Sequence, residues 1–165
     1  MVQPHITRRP IQPEDNAFLY RVYASTRMDE LAPLGWELAQ VEAFLHLQCT
    51  AQHTYYQQQC PEAAFDLILL NDQPIGRLYV ARGEDEIRIV DIALLPEHRN
   101  QGIGSALLKG ILAEAAAARK PVRIHVEKFN PALRLYQRLG FHQLHDTGVY
   151  FLMEWSPDTH HPDGG

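Results

Sequence analysis

Between Ile103 and Leu112 apolar residues recur at spacings of three and four, through Leu107, Leu108 and Ile111, and an alanine run follows. That period predicts the core-facing stripe of a long helix beginning near Gln101. Just upstream, residues 89–95 make a short apolar run with β-branched residues and one acid, Asp91. This predicts a largely buried strand, which Pro96 ends. Elsewhere the pattern alternates between the same two periods. Residues 2–9 predict an edge strand. Pro13, Glu14 and Asp15 mark a helix start, with Phe18, Leu19, Val22 and Tyr23 as its apolar face. Residues 25–35, with Pro33 and Gly35, predict an irregular connection. A second helix over 37–59 places Leu38, Val41, Phe44, Leu45 and Gln48 on one side and ends before Pro61.

Strands over 65–70 and 75–81 flank turn residues 71–74 and predict a hairpin, and 82–86 turn the chain into the buried strand. Val122, Ile124 and Val126 alternate with Arg123, His125 and Glu127, which puts the two sets on opposite faces of a further strand. Residues 131–139 predict a short helix closed by Gly140, and 141–144 with 149–155 a final hairpin. Antiparallel strands, a crossover helix and another strand imply an α/β fold, a mixed, partly antiparallel central sheet flanked by helices. One domain over 1–156 is expected. The tail, 157–165, is expected to be disordered, and its His160 and His161 to bind no metal.

Composition narrows the classes. A chain of 165 residues suffices for one sizeable core. A formal charge of −5 argues against a nucleic-acid partner, which wants a basic face. No stretch approaches the ~18 apolar residues of a membrane span, and the amino terminus lacks a signal peptide's apolar core. A cytoplasmic protein without membrane contact is expected. Cys49 and Cys60 have neither metal-type spacing nor a disulfide framework, and no metal site is expected.

The candidate chemistry lies where the buried strand meets the long helix. Arg99-Asn100-Gln101-Gly102-Ile103-Gly104 is a basic, glycine-containing loop that opens a helix. First-turn N–H groups lack helical partners and the helix dipole favours negative charge, so this is an anion site. Gly102 and Gly104 let a phosphate approach the backbone. The P-loop is excluded because no Lys-Ser/Thr pair follows, and the dinucleotide fingerprint because Leu107 stands where its third glycine belongs.

Ile92-Ala93-Leu94 followed by Arg99–Gly104 resembles the acetyl-CoA signature of the GNAT superfamily of N-acetyltransferases, R/Q-x-x-G-x-G/A after a hydrophobic strand. A second block, Asn130-Pro-Ala-Leu-Arg-Leu-Tyr136-Gln-Arg-Leu-Gly140-Phe141, is similar to the family's later N…LY-x-x-x-GF element. The resemblance implies the GNAT acyl-CoA N-acyltransferase fold. It also implies acetyl transfer from acetyl-CoA, the cosubstrate, to a primary amine by direct attack in a ternary complex. The competing class is a non-catalytic acyl-CoA-binding sensor or scaffold.

By that resemblance Arg99, Asn100, Gln101, Gly102, Ile103, Gly104 and Ser105 cradle the pyrophosphate. Ile92, Ala93 and Leu94 pair with pantetheine, and the Leu94 N–H polarises the thioester carbonyl. Tyr136 is the acid for the departing thiolate, or else a core residue. The usual spacing places an asparagine seven residues before that tyrosine, where this chain has Phe129. Asn130 therefore contacts the cofactor or caps the helix. The base is open between His125, whose ordinary pKa suits proton uptake near neutrality, Asp91, Glu127 and a water relay. Asp29, Glu30 and Trp36, in the connection between the first two helices, are the candidate acceptor contacts. The final strand pair leaves room for a homodimer.

Overall fold

The structure is a computed structural model that describes residues 5–157. Its elements are β1 (Ile6–Pro10), α1 (Asn16–Leu31), α2 (Leu38–Gln59), β2 (Ala64–Leu70), β3 (Gln73–Arg82), β4 (Ile87–Leu94), α3 (Ile103–Ala118), β5 (Val122–Glu127), α4 (Leu133–Arg138), β6 (His142–Asp146) and β7 (Tyr150–Trp155). Seven strands form a sheet in the order β1-β2-β3-β4-β5-β7-β6. β1 pairs antiparallel with β2, β7 antiparallel with β5 and β6, and β4 parallel with β5. This is the expected mixed α/β sheet, with β1 at an edge. The amino-terminal part of the residue 2–9 expectation, and nearly all of the 157–165 tail with His160 and His161, lie outside the described residues.

Two compact units divide the chain. The first comprises residues up to Tyr79 together with Asp91–Gln101. There Leu19 of α1 is buried with Leu67 and Leu69 of β2, and Ile11 and Phe18 lie against them. A second cluster joins Tyr23 and Ala24 of α1 to Val41 and Leu45 of α2. Ahead of α1, Arg9 grips Asp15 with both terminal nitrogens (2.8 and 2.9 Å), and the Gln12 N–H donates to the same carboxylate at 2.8 Å. Asp15 is buried, so this bidentate pair fixes the entry to the helix.

The other unit comprises Val80–Val90 and Gly102 onward. Leu108, Ile111, Leu112 and Ala115 of α3 are buried, as are Val122, Ile124 and Val126 of β5 and Met153 and Trp155 of β7. The alternation in β5 holds: its apolar residues face the core, and His125 is exposed.

Three boundaries differ from expectation for local reasons. α1 runs on to Leu31, followed by a 3-10 turn (Ala32–Leu34) that Gly35 ends at φ 69°, so the irregular stretch expected from residue 25 is mostly helix. No proline or glycine intervenes before Pro33, and Arg27 pairs with Glu30 at 3.1 Å along the helix. The β2–β3 turn needs only Asn71 and Asp72, both left-handed (φ 49° and 70°), so β3 starts at Gln73 and contains Pro74. β4 begins at Ile87, where its N–H donates to Pro121 O (3.0 Å).

Candidate active site

β4 ends at Leu94, the 3-10 turn Pro96–His98 follows, and α3 opens at Ile103. Between them Asn100 (φ 60°) and Gly102 (φ 82°) both adopt the left-handed conformation, which asparagine tolerates and glycine takes freely. The first backbone bond that closes α3 runs from the Ala106 N–H to Gly102 O (3.0 Å). Ile103, Gly104 and Ser105 thus present amides with no partner inside the helix. A Cβ added at Gly102 or Gly104 would meet no atom within 4 Å, so the approach to these amides is open. The Arg99 amide is not part of this set, because it donates to Pro96 O at 3.2 Å. A diphosphate fits the remainder: bare amides, a dipole of the right sign and room for tetrahedral groups.

The end of β4 is tightly framed. Ile92, Ala93 and Leu94 are half-buried. The Leu95 N–H donates to Ile75 O (2.9 Å). Gly76 of β3 lies so close that a Cβ there would run into the Ala93 carbonyl oxygen and stand 3.0 Å from Leu94 Cα. Arg99 turns back on the strand, its Nε donating to Leu94 O at 2.9 Å and Nη2 to Ser25 Oγ at 3.3 Å. Gln101 Nε2 donates to Glu97 O at 2.9 Å.

Asp91 is engaged by Arg77 Nη2 at 2.5 Å, and the same nitrogen donates to Gln52 of α2 at 2.9 Å. Arg77 is 5% exposed and lies against the Tyr79 ring, 5.3 Å from its centroid. Burial pushes the Tyr79 phenol up to about 12, although Arg77 pulls the other way.

β4 and β5 are paired in register from Ile87↔Val122 to Ile89↔Ile124. On β5, His125 Nδ1 lies 3.4 Å from Arg88 Nη1. Partial burial first, then the Arg88 charge, hold its pKa below the ordinary histidine value, with Glu86 opposing. Glu127 is half-buried at the end of the strand. Asn130 Oδ1 accepts from the Ala132 N–H (2.8 Å), and its backbone oxygen accepts from the Leu133 N–H (3.0 Å), which starts α4. Its side-chain oxygen therefore closes an Asx turn just ahead of α4, whose N-cap position is Ala132. Tyr136 is buried, edge-on to Phe141 with ring centroids 5.6 Å apart.

Asp29 and Glu30 are exposed on the last turn of α1, where Arg27 holds Glu30. Trp36 is half-exposed beyond that helix and meets Phe44 edge-on at 5.3 Å. Gly76, Arg77 and Arg88 are the site neighbours that sequence reading passed over. A lone cation inside the apolar run Ile75–Val80 was the available signal for Arg77. Among the described residues no group of three or more His, Cys, Asp or Glu could hold a metal, and no helix is long and apolar enough to cross a membrane.

Residues 62–143 match the family model of the acetyltransferase (GNAT) domain. Over this domain the chain belongs to the GNAT acetyltransferases. A mycothiol acetyltransferase of Clavibacter sepedonicus is 39% identical over 64 residues, which is 39% of this chain and 20% of that protein. The chain thus matches only a small part of that relative. The PaiA N-acetyltransferase of Thermoplasma acidophilum, solved in complex with coenzyme A, superposes with a TM-score of 0.68 at 18% identity, covering 92% of this chain and 99% of that one. A GNAT family acetyltransferase of Elizabethkingia anophelis with acetyl-CoA bound gives 0.53 at 18% identity, covering 92% and 97%. At such identities these two share the fold.

Proposed function

We propose that the chain transfers an acetyl group from acetyl-CoA to a primary amine, by direct attack of the amine nitrogen in a ternary complex. The observation that carries this reading is the open, left-handed turn at Asn100 and Gly102, which leads into the bare first-turn amides of α3. The amides of that turn together with those of the first helical turn, from Asn100 to Ser105, hold the diphosphate. Acetyl-CoA supplies an activated acyl thioester. The backbone of Ile92, Ala93 and Leu94 lines the pantetheine arm, and the Leu94 N–H donates to the thioester carbonyl as negative charge grows on its oxygen. One such donor is worth roughly 3–4 kcal/mol.

His125 takes the proton from the attacking amine. A neutral imidazole is needed for that, and its lowered pKa keeps it neutral at pH 7. Asp91 is the weaker candidate, since its carboxylate is already committed to Arg77. As the C–N bond forms and the C–S bond breaks, Tyr136 gives its phenolic proton to the leaving thiolate. The transfer is uphill on ordinary values of ~10 and ~8.5, so position must compensate. Asn130 spends its side-chain oxygen on the turn that leads into α4, which leaves its amide nitrogen for the cofactor. Asp29, Glu30 and Trp36 contact the acceptor.

The experiment is a screen of amine acceptors that reads thiol release from acetyl-CoA, on the wild type and on Tyr136→Phe and His125→Ala. The variants should lose turnover while still binding acetyl-CoA. Binding without turnover for any amine would instead make the chain an acyl-CoA-binding module.

A further inference from the structure

The Arg99 side chain, though exposed, turns back onto the end of β4. Its Nε donates to Leu94 O at 2.9 Å, and Nη2 reaches Ser25 Oγ at 3.3 Å. Ser25 is itself fixed, its hydroxyl donating to Val22 O within α1 at 2.7 Å. The Leu94–Leu95 peptide is thereby held at both ends, its carbonyl by Arg99 and its N–H by Ile75 O (2.9 Å). The adjoining Ala93–Leu94 peptide, which carries the Leu94 N–H, is pressed against Gly76, where a side chain could not fit. Its rotation is confined from β3 on one side and by the clamped peptide on the other. A second tie, Arg21 Nη2 to Glu97 Oε1 at 3.2 Å, fastens the following turn to the same helix.

We infer that Arg99 is a positioning residue: its guanidinium sets the plane of the Leu94 backbone and so aims the Leu94 N–H at the thioester carbonyl, rather than serving as a cation for the diphosphate. The planar guanidinium presents two donors at fixed separation, one to the carbonyl and one to the hydroxyl. The inference rests on the proposal that the Leu94 N–H polarises that carbonyl.

Side-chain chemistry supplies a sharp test. Glutamine carries its amide nitrogen the same number of bonds from Cβ as arginine carries Nε, so Arg99→Gln keeps the donor to Leu94 O and deletes the charge. Arg99→Met keeps the length and deletes both. The readout is the infrared carbonyl stretch of S-[1-¹³C]acetyl-CoA bound to each protein, repeated with S-[1-¹³C]acetylpantetheine, which has no diphosphate.

The wild type should lower the stretch relative to free ligand with both probes. Arg99→Gln, which keeps the donor to Leu94 O but not the tie to Ser25, should retain most of that shift and Arg99→Met should lose at least half of it, again with both probes, while each variant keeps a cooperative unfolding transition. Ser25→Ala, which frees one arm of the guanidinium, should give a smaller loss than Arg99→Met. Equal shifts in all proteins, with weaker acetyl-CoA binding in both Arg99 variants and unchanged acetylpantetheine binding, would make Arg99 a diphosphate ligand and overturn the inference. A wild type that binds acetyl-CoA without any shift removes the Leu94 donor itself, and one that does not bind it removes the acetyltransferase reading.

Discussion

Arg77 and Asp91 face each other across adjacent strands at 2.5 Å, and the arginine side chain is 6% exposed. Removing one member of a buried pair leaves the other charge without compensation and costs about 3–5 kcal/mol. Arg77→Met should approach the lower end, since the Asp91 side chain keeps 20% of its exposure and can recruit water. Asp91→Asn should cost less, because Gln52 still accepts from Arg77. Urea denaturation of the two single variants and the double variant measures both costs and the interaction between them.

Tyr79 sits against that arginine with a phenol pushed up to about 12, first by burial. Unfolded tyrosine ionises near 10. The unfolded chain therefore sheds this proton earlier, and the contribution to stability, intact below pH ~10, is lost as pH rises toward 12. Ultraviolet titration should show one tyrosine ionising about two units late, and Tyr79→Phe should abolish that late step.

The opposite sign holds at Asp15. Its carboxyl is kept below the ordinary aspartate value by the Arg9 hydrogen bonds, against its own burial. Stability from this group is present above the unfolded value of ~3.9 and is lost as pH falls through the lower folded value. Asp15→Asn should lower the melting temperature at pH 7, and the gap to wild type should close in acid. A gap independent of pH between 7 and 3 would contradict this.

If His125 is the base, the acid limb of kcat/KM falls below the ordinary histidine value of ~6.5. Arg88 and Glu86 are the charged groups that act on it, one lowering and one raising, and its partner across β7 is the apolar Leu152. Arg88→Met should move that limb upward, and Glu86→Gln downward. A limb that stays fixed in both variants assigns the proton to another group.

Much of this frame was legible because period and punctuation agree. The alternation of Val122, Ile124 and Val126 named the buried face of β5, and Asn71-Asp72 marked the turn between β2 and β3, which is two residues shorter than the 71–74 expected. The α3 loop was legible for the same reason: Gly102 stands where the helix needs a left-handed start. What composition and period could not show was pairing in space. Arg77 reads as an interruption of an apolar strand until Asp91 is found beside it. Arg99 reads as a free cation because a bond back to Leu94 O leaves no trace in sequence. The α1 boundary was missed because Pro33 and Gly35 drew the break upstream, although the 3-10 turn they build lies after the helix.

Whether the open turn before α3 grips a diphosphate can be read at Gly104. Its conformation needs no glycine and a Cβ there meets nothing, so Gly104→Val should fold as the wild type does. Acetyl-CoA at a hundredfold excess over its Kd should stabilise the wild type by about 2.7 kcal/mol in thermal unfolding. That rise is expected in the wild type, and its loss in Gly104→Val. No rise in the wild type, or the full rise in Gly104→Val, would contradict that grip.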